Sequence, residues 1–297
     1  MRGTNNRRAF DYFWEGAKLR GMPLTLAIWE RSDKLFRQAI EEDTGLGFEE
    51  ARKKRTGFPR AWSWKAYGIT MSYFLGREGS KESLIGEALD LVGISLEGDK
   101  FDYQNHWVAA FIHLVAGNID RVEGHKREAL ALNAEDQNTG VMNEMADVLV
   151  WLGRPDEALK LLERTRHIGD WNRWSVAWAF YAKAKDDPIF YDWALREIGR
   201  TFGRPGDQNY EFDIDLLTAV IRVQKAEIFE RQGDKENAEK QRELANLARG
   251  RFLAENARQG WRQSDERRRM PFAANDDAAQ ALQRHWLDGV AKLGLPD

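Results

Sequence analysis

Apolar residues recur at helical spacing on both sides of a single break between Thr139 and Asp170. Met142, Met145, Ala146, Leu149 and Val150 share one face, Gly153-Arg154-Pro155 interrupts, and Ala158, Leu159, Leu161 and Leu162 resume the pattern. This predicts two antiparallel helices joined by a tight turn. Gly153 suits the left-handed residue that closes a helix, and Pro155 suits a first helical turn, where its missing N–H costs nothing. The arrangement returns upstream, where Trp107, Ala110, Phe111 and Leu114 precede Gly117-Asn118-Ile119-Asp120 and a second helix ends at Ala129-Leu130-Ala131-Leu132-Asn133. Trp64-x-x-Tyr67-Gly68 leads another hairpin, whose second helix carries Leu84, Ile85, Ala88, Leu89 and Val92, and an opening hairpin spans Phe10 to Ile40. Downstream, Trp174, Ala177, Trp178 and Tyr181 begin a further unit. Ala219, Val223, Ala226 and Phe229, then Gly233-Asp234, then Ala238 and Ala245 make the last. Strand patterning is nearly absent.

Equivalent positions recur at spacings from roughly 34 to the mid-40s, near the tetratricopeptide period of about 34 residues with insertions between some units. Trp64, Tyr67 and Gly68 occupy the opening places of that repeat's pattern, and Ala158-x3-Leu162 its middle. Ala134 and Asp170 stand where its closing proline is expected, so the repeats are divergent. The expected fold is all-α, a right-handed superhelical solenoid of about five or six tetratricopeptide-like hairpins. Residues 1–250 would form the array, and 251–297 a capping helix and tail packed on it. Small residues at the crossing points let paired helices approach, and a large residue one turn away fills the gap to the next hairpin.

Three stretches carry a family resemblance. Tyr103 to Asn133, Met145 to Ala158 and Asp170-Trp171-Asn172-Arg173-Trp174, with the closing Met270-Pro271-Phe272 and Leu287 to Pro296, resemble the tetratricopeptide region of bacterial class III adenylate cyclase-like proteins. The likeness covers about Ala9 to Asp297. No cyclase domain is present in the sequence, so the resemblance implies a regulatory or interaction module and brings no catalytic residue with it.

Composition narrows the chemistry. Of 297 residues, 45 Lys and Arg stand against 48 Asp and Glu, a net charge of -3, so no general field draws the chain to nucleic acid or anionic lipid. With no cysteine, disulfides, zinc–thiolate sites, iron–sulfur clusters and cysteine nucleophiles are excluded, and a reducing compartment is suited. No apolar run is long enough for a membrane span. Arg7-Arg8 has the form of a twin-arginine signal, but Asp11, Glu15 and Lys18 stand where an apolar stretch should follow, and a cytoplasmic location is expected. Gly-x-Ser-x-Gly, Walker and glycine-rich dinucleotide motifs are all missing, so an enzyme is not expected, nor a cofactor.

The function expected instead is binding. The first helix of each hairpin would line a concave surface, and Trp62, Trp107, Phe111, Asn143, Asp147, Trp151, Trp174, Trp178 and Tyr181 would project towards it. Aromatic anchors beside a few polar groups suit a protein or peptide segment laid along a groove. The same rings could instead pack between hairpins, and Trp64, at a consensus core place, is read as structural. A different reading makes the chain a small-molecule sensor or enzyme with an aromatic pocket, using Glu144, Asp147 or His113. A third is a homo-oligomer, assembled through its terminal hairpins.

Other clusters carry less. His106 and His113 lie seven positions apart on one helix, with His125 on the next, yet no His-Glu-x-x-His or comparable spacing, nor any other sign of zinc, involves these or His167 and His285. The acids from Asp207 to Asp215 lack the glycine and glutamate of an EF-hand and read as a solvated loop leading into a helix. Arg249, Arg251, Arg258, Arg262, Arg267, Arg268 and Arg269 outnumber the nearby acids, but read as a solvated capping helix rather than a nucleic-acid surface.

Overall fold

The turn at Gly153 shows how local chemistry sets the architecture in the computed structural model. The model describes residues 3–19, 26–74, 77–134, 139–165, 170–201, 211–256 and 277–295. Gly153 has φ 72°, its N–H donates to the Val150 carbonyl at 2.8 Å, and the Arg154 N–H donates to the Leu149 carbonyl at 2.9 Å. Two otherwise orphaned carbonyls are thereby satisfied, and Pro155 opens the next helix at its first turn. The described residues form fourteen helices and no strand, packed as neighbouring pairs. The chain divides into two compact units, Met1–Val148 and Leu149–Asp297.

In the first unit α1 (Arg7–Leu19) pairs with α2 (Leu26–Thr44), and the short α3 (Phe48–Lys54) packs on α2. Next, α4 (Pro59–Phe74) pairs with α5 (Lys81–Gly98), and α6 (Tyr103–Ala116) with α7 (Ile119–Leu132). The first pair crosses at Gly16, where a Cβ would lie 2.9 Å from the Phe36 ring, and the Ser32 hydroxyl donates to the Gly16 carbonyl at 2.9 Å. Successive hairpins are joined through α2, α4 and α6, which pack in that order. Aromatic edges record this stacking: Tyr67 on α4 lies 5.7 Å from Trp29 on α2, and 5.1 and 5.4 Å from Trp107 and Phe111 on α6. The next helix, α8 (Thr139–Trp151), begins in this unit and its last residues belong to the other.

In the second unit α9 (Pro155–Leu162) packs on α10 (Asp170–Ala184), which pairs with α11 (Ile189–Thr201). A longer pair, α12 (Glu211–Arg231) and α13 (Lys235–Asn256), follows α11, and α14 (Asp277–Lys292) lies on α12. The expected start of a capping segment at residue 251 falls inside α13, which continues unbroken through it. None of the described helices is long and apolar enough to cross a membrane.

Candidate functional site

The residues expected to line a groove fall into two groups. In the first unit Trp62 is a core residue, 0% exposed, with its ring against Phe48 and its indole N–H donating to the Thr56 carbonyl at 2.9 Å. It faces a structural contact rather than an open surface, because its neighbour Trp64 takes the inter-hairpin position instead. Trp64 is half-buried among Phe13, Phe36 and Trp107, and its indole N–H donates to the Gln104 side chain at 3.1 Å. Trp107 is also buried, whereas Tyr67 and Phe111 beside it keep part of their rings in solvent. On α8 Asn143 is buried and Asp147 half-buried. Glu144, one turn before Asp147, is pushed up to about 8 by burial and by that neighbouring charge, so it carries its proton at neutral pH.

His106, His125 and His113 form a column between α6 and α7. The His106 Nε2 lies 2.9 Å from the Lys100 carbonyl, which can only accept, so this nitrogen carries the proton. Its Nδ1 lies 3.1 Å from the His125 Nδ1, within hydrogen-bond distance, and the His125 ring stacks on His113 at 5.3 Å. His113 Nδ1 lies 3.3 Å from the Asn118 side-chain amide, and among the described residues no group of three His, Cys, Asp or Glu is placed to hold a metal. His167 lies outside the described residues.

Burial, then the neighbouring His106 and His113, hold His125 near 4 against an ordinary 6.5, and burial lowers His113 as well. The unfolded chain thus binds more protons than the folded one between those values, and stability present above about 6.5 is lost as pH falls towards 4. Glu144 acts in the opposite sense, its contribution falling as pH rises from 4.5 towards 8. Urea denaturation of wild type and His125→Asn at pH 7 and pH 4.5 isolates the histidine: the variant is expected to lose less stability on acidification. Equal losses would remove the column as the acid-sensitive element.

The second group is continuous. Trp178 on α10 is 1% exposed and stands at the centre of a ring cluster, 4.9 Å from Trp151, 5.8 Å from Trp174 and 5.5 Å from Tyr181. Tyr181 is fully buried, Trp151 nearly so, and Trp174 half-buried. These four sequence-predicted residues do come together, but Trp178 and Tyr181 among them are already covered. Trp286 of α14 lies 4.8 Å from Trp178 and 5.7 Å from Tyr181, edge-on to the latter. Polar contacts hold the same helix: Tyr181 Oη and Gln224 Nε2 donate to the His285 carbonyl at 3.3 and 3.0 Å, and the Tyr191 hydroxyl is 3.0 Å from His285 Nε2. Lys292 bridges Glu227 at 2.8 Å and Asp288 on its own helix at 2.5 Å.

Sequence reasoning missed Tyr191, Gln224 and His285, whose roles depend on helices distant along the chain. The signal for α14 was present, since Ala279, Leu282, Trp286 and Val290 make one apolar face at helical spacing. The basic stretch is partly placed: Arg249 donates to the Gly294 carbonyl at 2.8 Å and Arg251 pairs with Asp215 at 2.7 Å, so both are used within the chain. Arg258, Arg262, Arg267, Arg268, Arg269 and Asp207 lie outside the described residues, whereas Glu211, Asp213 and Asp215 stand on α12.

No protein-family model matches this chain, and no curated protein does.

Proposed function

We propose that this chain is a non-catalytic interaction module, a right-handed solenoid of tetratricopeptide-like hairpins that holds a protein or peptide segment against its aromatic inner helices. The observation that carries this reading is α14, an amphipathic helix seated on the rings of Trp178 and Tyr181. A surface built in this way recognises a helix by burying one anchor ring and satisfying backbone carbonyls at its edge. The first unit offers related chemistry in the half-exposed Tyr67 and Phe111, with Asp147 on α8 supplying charge. The cysteine-free sequence and the adenylate cyclase-like resemblance suit a cytoplasmic regulatory role.

The test uses rings that are not sealed. Phe111→Ala with Trp174→Ala removes two half-exposed aromatics, one from each unit, and is expected to leave helical content intact by circular dichroism. Affinity capture from lysate of the source cell is expected to lose its specific partner with this variant. A captured set unchanged between variant and wild type would overturn the reading.

A further inference from the structure

Helices that meet only to fill a core need no polar side chains at their junction, yet α11, α12 and α14 meet through a chain of them. Tyr191 and Gln224 are 3% and 5% exposed, and holding such groups out of water costs free energy that apolar side chains would not. Gln224 Nε2 donates to the His285 carbonyl at 3.0 Å, which turns its Oε1 towards Tyr191, and the Tyr191 hydroxyl donates to that oxygen at 3.2 Å. A phenol has one proton to give, so its 3.0 Å contact with His285 Nε2 is satisfied with the imidazole proton on Nε2. Burial pushes His285 down to about 4, so the ring is neutral at pH 7 and its Nδ1 is a bare acceptor. Among the described residues that nitrogen has no hydrogen-bond partner, and it is not sealed in the core.

Tyr191, Gln224 and His285 line an open surface cleft of about 260 Å³. At about 30 Å³ per water it holds roughly nine waters, which is room for a small metabolite and not for a peptide helix. The charges around it are not all used. Lys292 is held by Glu227 at 2.8 Å and by Asp288 at 2.5 Å. Lys185 pairs with its exposed sequence neighbour Asp186, and Arg231, exposed at the end of α12, pairs with no acid among the described residues. Both cations line the cleft, so a fork-shaped guanidinium and an ammonium stand beside the same space as a bare imidazole nitrogen.

We infer that this cleft is a small-ligand site for carboxylates that carry a hydrogen-bond donor on the adjacent carbon, the α-hydroxy and α-amino acids: Arg231, with Lys185, takes the carboxylate, and His285 Nδ1 accepts from the hydroxyl or ammonium group. Tyr191 and Gln224 are positioning residues, which fix the imidazole ring and the nitrogen that bears its proton. For an amino acid, Glu227 and Asp288 beside the same cleft favour the ammonium charge. The site lies wholly within the second unit and goes beyond the interaction-module reading, on which it does not depend.

Isothermal titration of the full chain at pH 7 with L-malate, L-aspartate and succinate tests this, since the three share one four-carbon skeleton and carry a hydroxyl, an ammonium or neither beside a carboxylate. Malate or aspartate is expected to bind saturably, with succinate at least about tenfold weaker, the worth of one hydrogen bond. Malate without aspartate assigns hydroxy acids, and the reverse assigns amino acids. Arg231→Gln, at an exposed position, is expected to weaken the bound probe by about tenfold or more. His285→Leu keeps the backbone carbonyl that anchors Gln224 and is expected to bind that probe no better than succinate. No saturable binding of malate or aspartate up to about 10 mM overturns the inference, as does succinate bound equally well. Arg231→Gln, or a folded His285→Leu, that binds as wild type does also overturns it. If His285→Leu fails to fold, the succinate comparison and Arg231→Gln decide alone.

Discussion

Trp178→Ala is expected to lower stability by about 3–5 kcal/mol, the range for deleting a large buried aromatic. The side chain is 1% exposed and touches Trp151, Trp174, Tyr181 and Trp286, so its removal leaves a void bordered by four rings on three helices. Those rings cannot all move inwards without breaking their own edge contacts, which keeps the cavity open and the cost high. The indole N–H makes no hydrogen bond, so Trp178→Phe removes only volume and is expected to cost clearly less. Urea denaturation followed by far-UV circular dichroism measures both. A midpoint for Trp178→Ala corresponding to less than about 0.5 kcal/mol of loss would mean that the cluster collapses around the hole.

Asp102→Ala should be comparably damaging in the first unit, for electrostatic reasons. The carboxylate side chain is 1% exposed, accepts from the Gln104 N–H at 2.9 Å as the N-cap of α6, and takes two hydrogen bonds from the Arg60 guanidinium, that from Nη2 at 3.2 Å. Truncation removes a cap worth about 1 kcal/mol. It also leaves a guanidinium that is largely out of solvent without its counter-charge, for a total of about 3–5 kcal/mol. Adding Arg60→Met to Asp102→Ala is expected to recover part of the loss, since it removes the stranded charge. The double variant falling below the single one by the full cost of Arg60→Met alone would show that the two side chains are not coupled.

These two sites also mark how far the sequence could be read. Around Trp107 and Gly153 the helical period and the glycine turn chemistry are local, and the helices and turns they predict are the ones observed. Burial of a particular ring is not local. Trp62 and Trp64 sit two positions apart on one helix, and their different environments follow from Phe48 and Thr56 on one side and Gln104 and Trp107 on the other. A hydrophobic pattern assigns both to an apolar helix and cannot say which faces the neighbouring hairpin. The pairing of Arg60 with Asp102 is hidden for the same reason, because charges 42 positions apart meet only after α4, α5 and α6 have packed.

The histidines make the point for polar groups. Spacing placed His106 and His113 on one face, but only the docking of α7 brings His125 between them, hydrogen-bonded to His106 and stacked on His113. The lowered pKa values of His125 and His113 belong to that packing, since desolvation is a property of the assembled site.

The sequence by itself determined that the chain is helical, where its main turns fall, and that aromatic residues crowd the first helices of the hairpins, because periodicity, capping and turn chemistry act over a few residues. The tertiary structure alone decided which rings are sealed and that Trp178 and Tyr181 meet Trp286 of the chain's own last helix. That contact joins residues about a hundred positions apart, and its geometry is set by how whole helices pack, through side-chain volume and the need to pair buried polar groups, rather than by any short stretch of sequence.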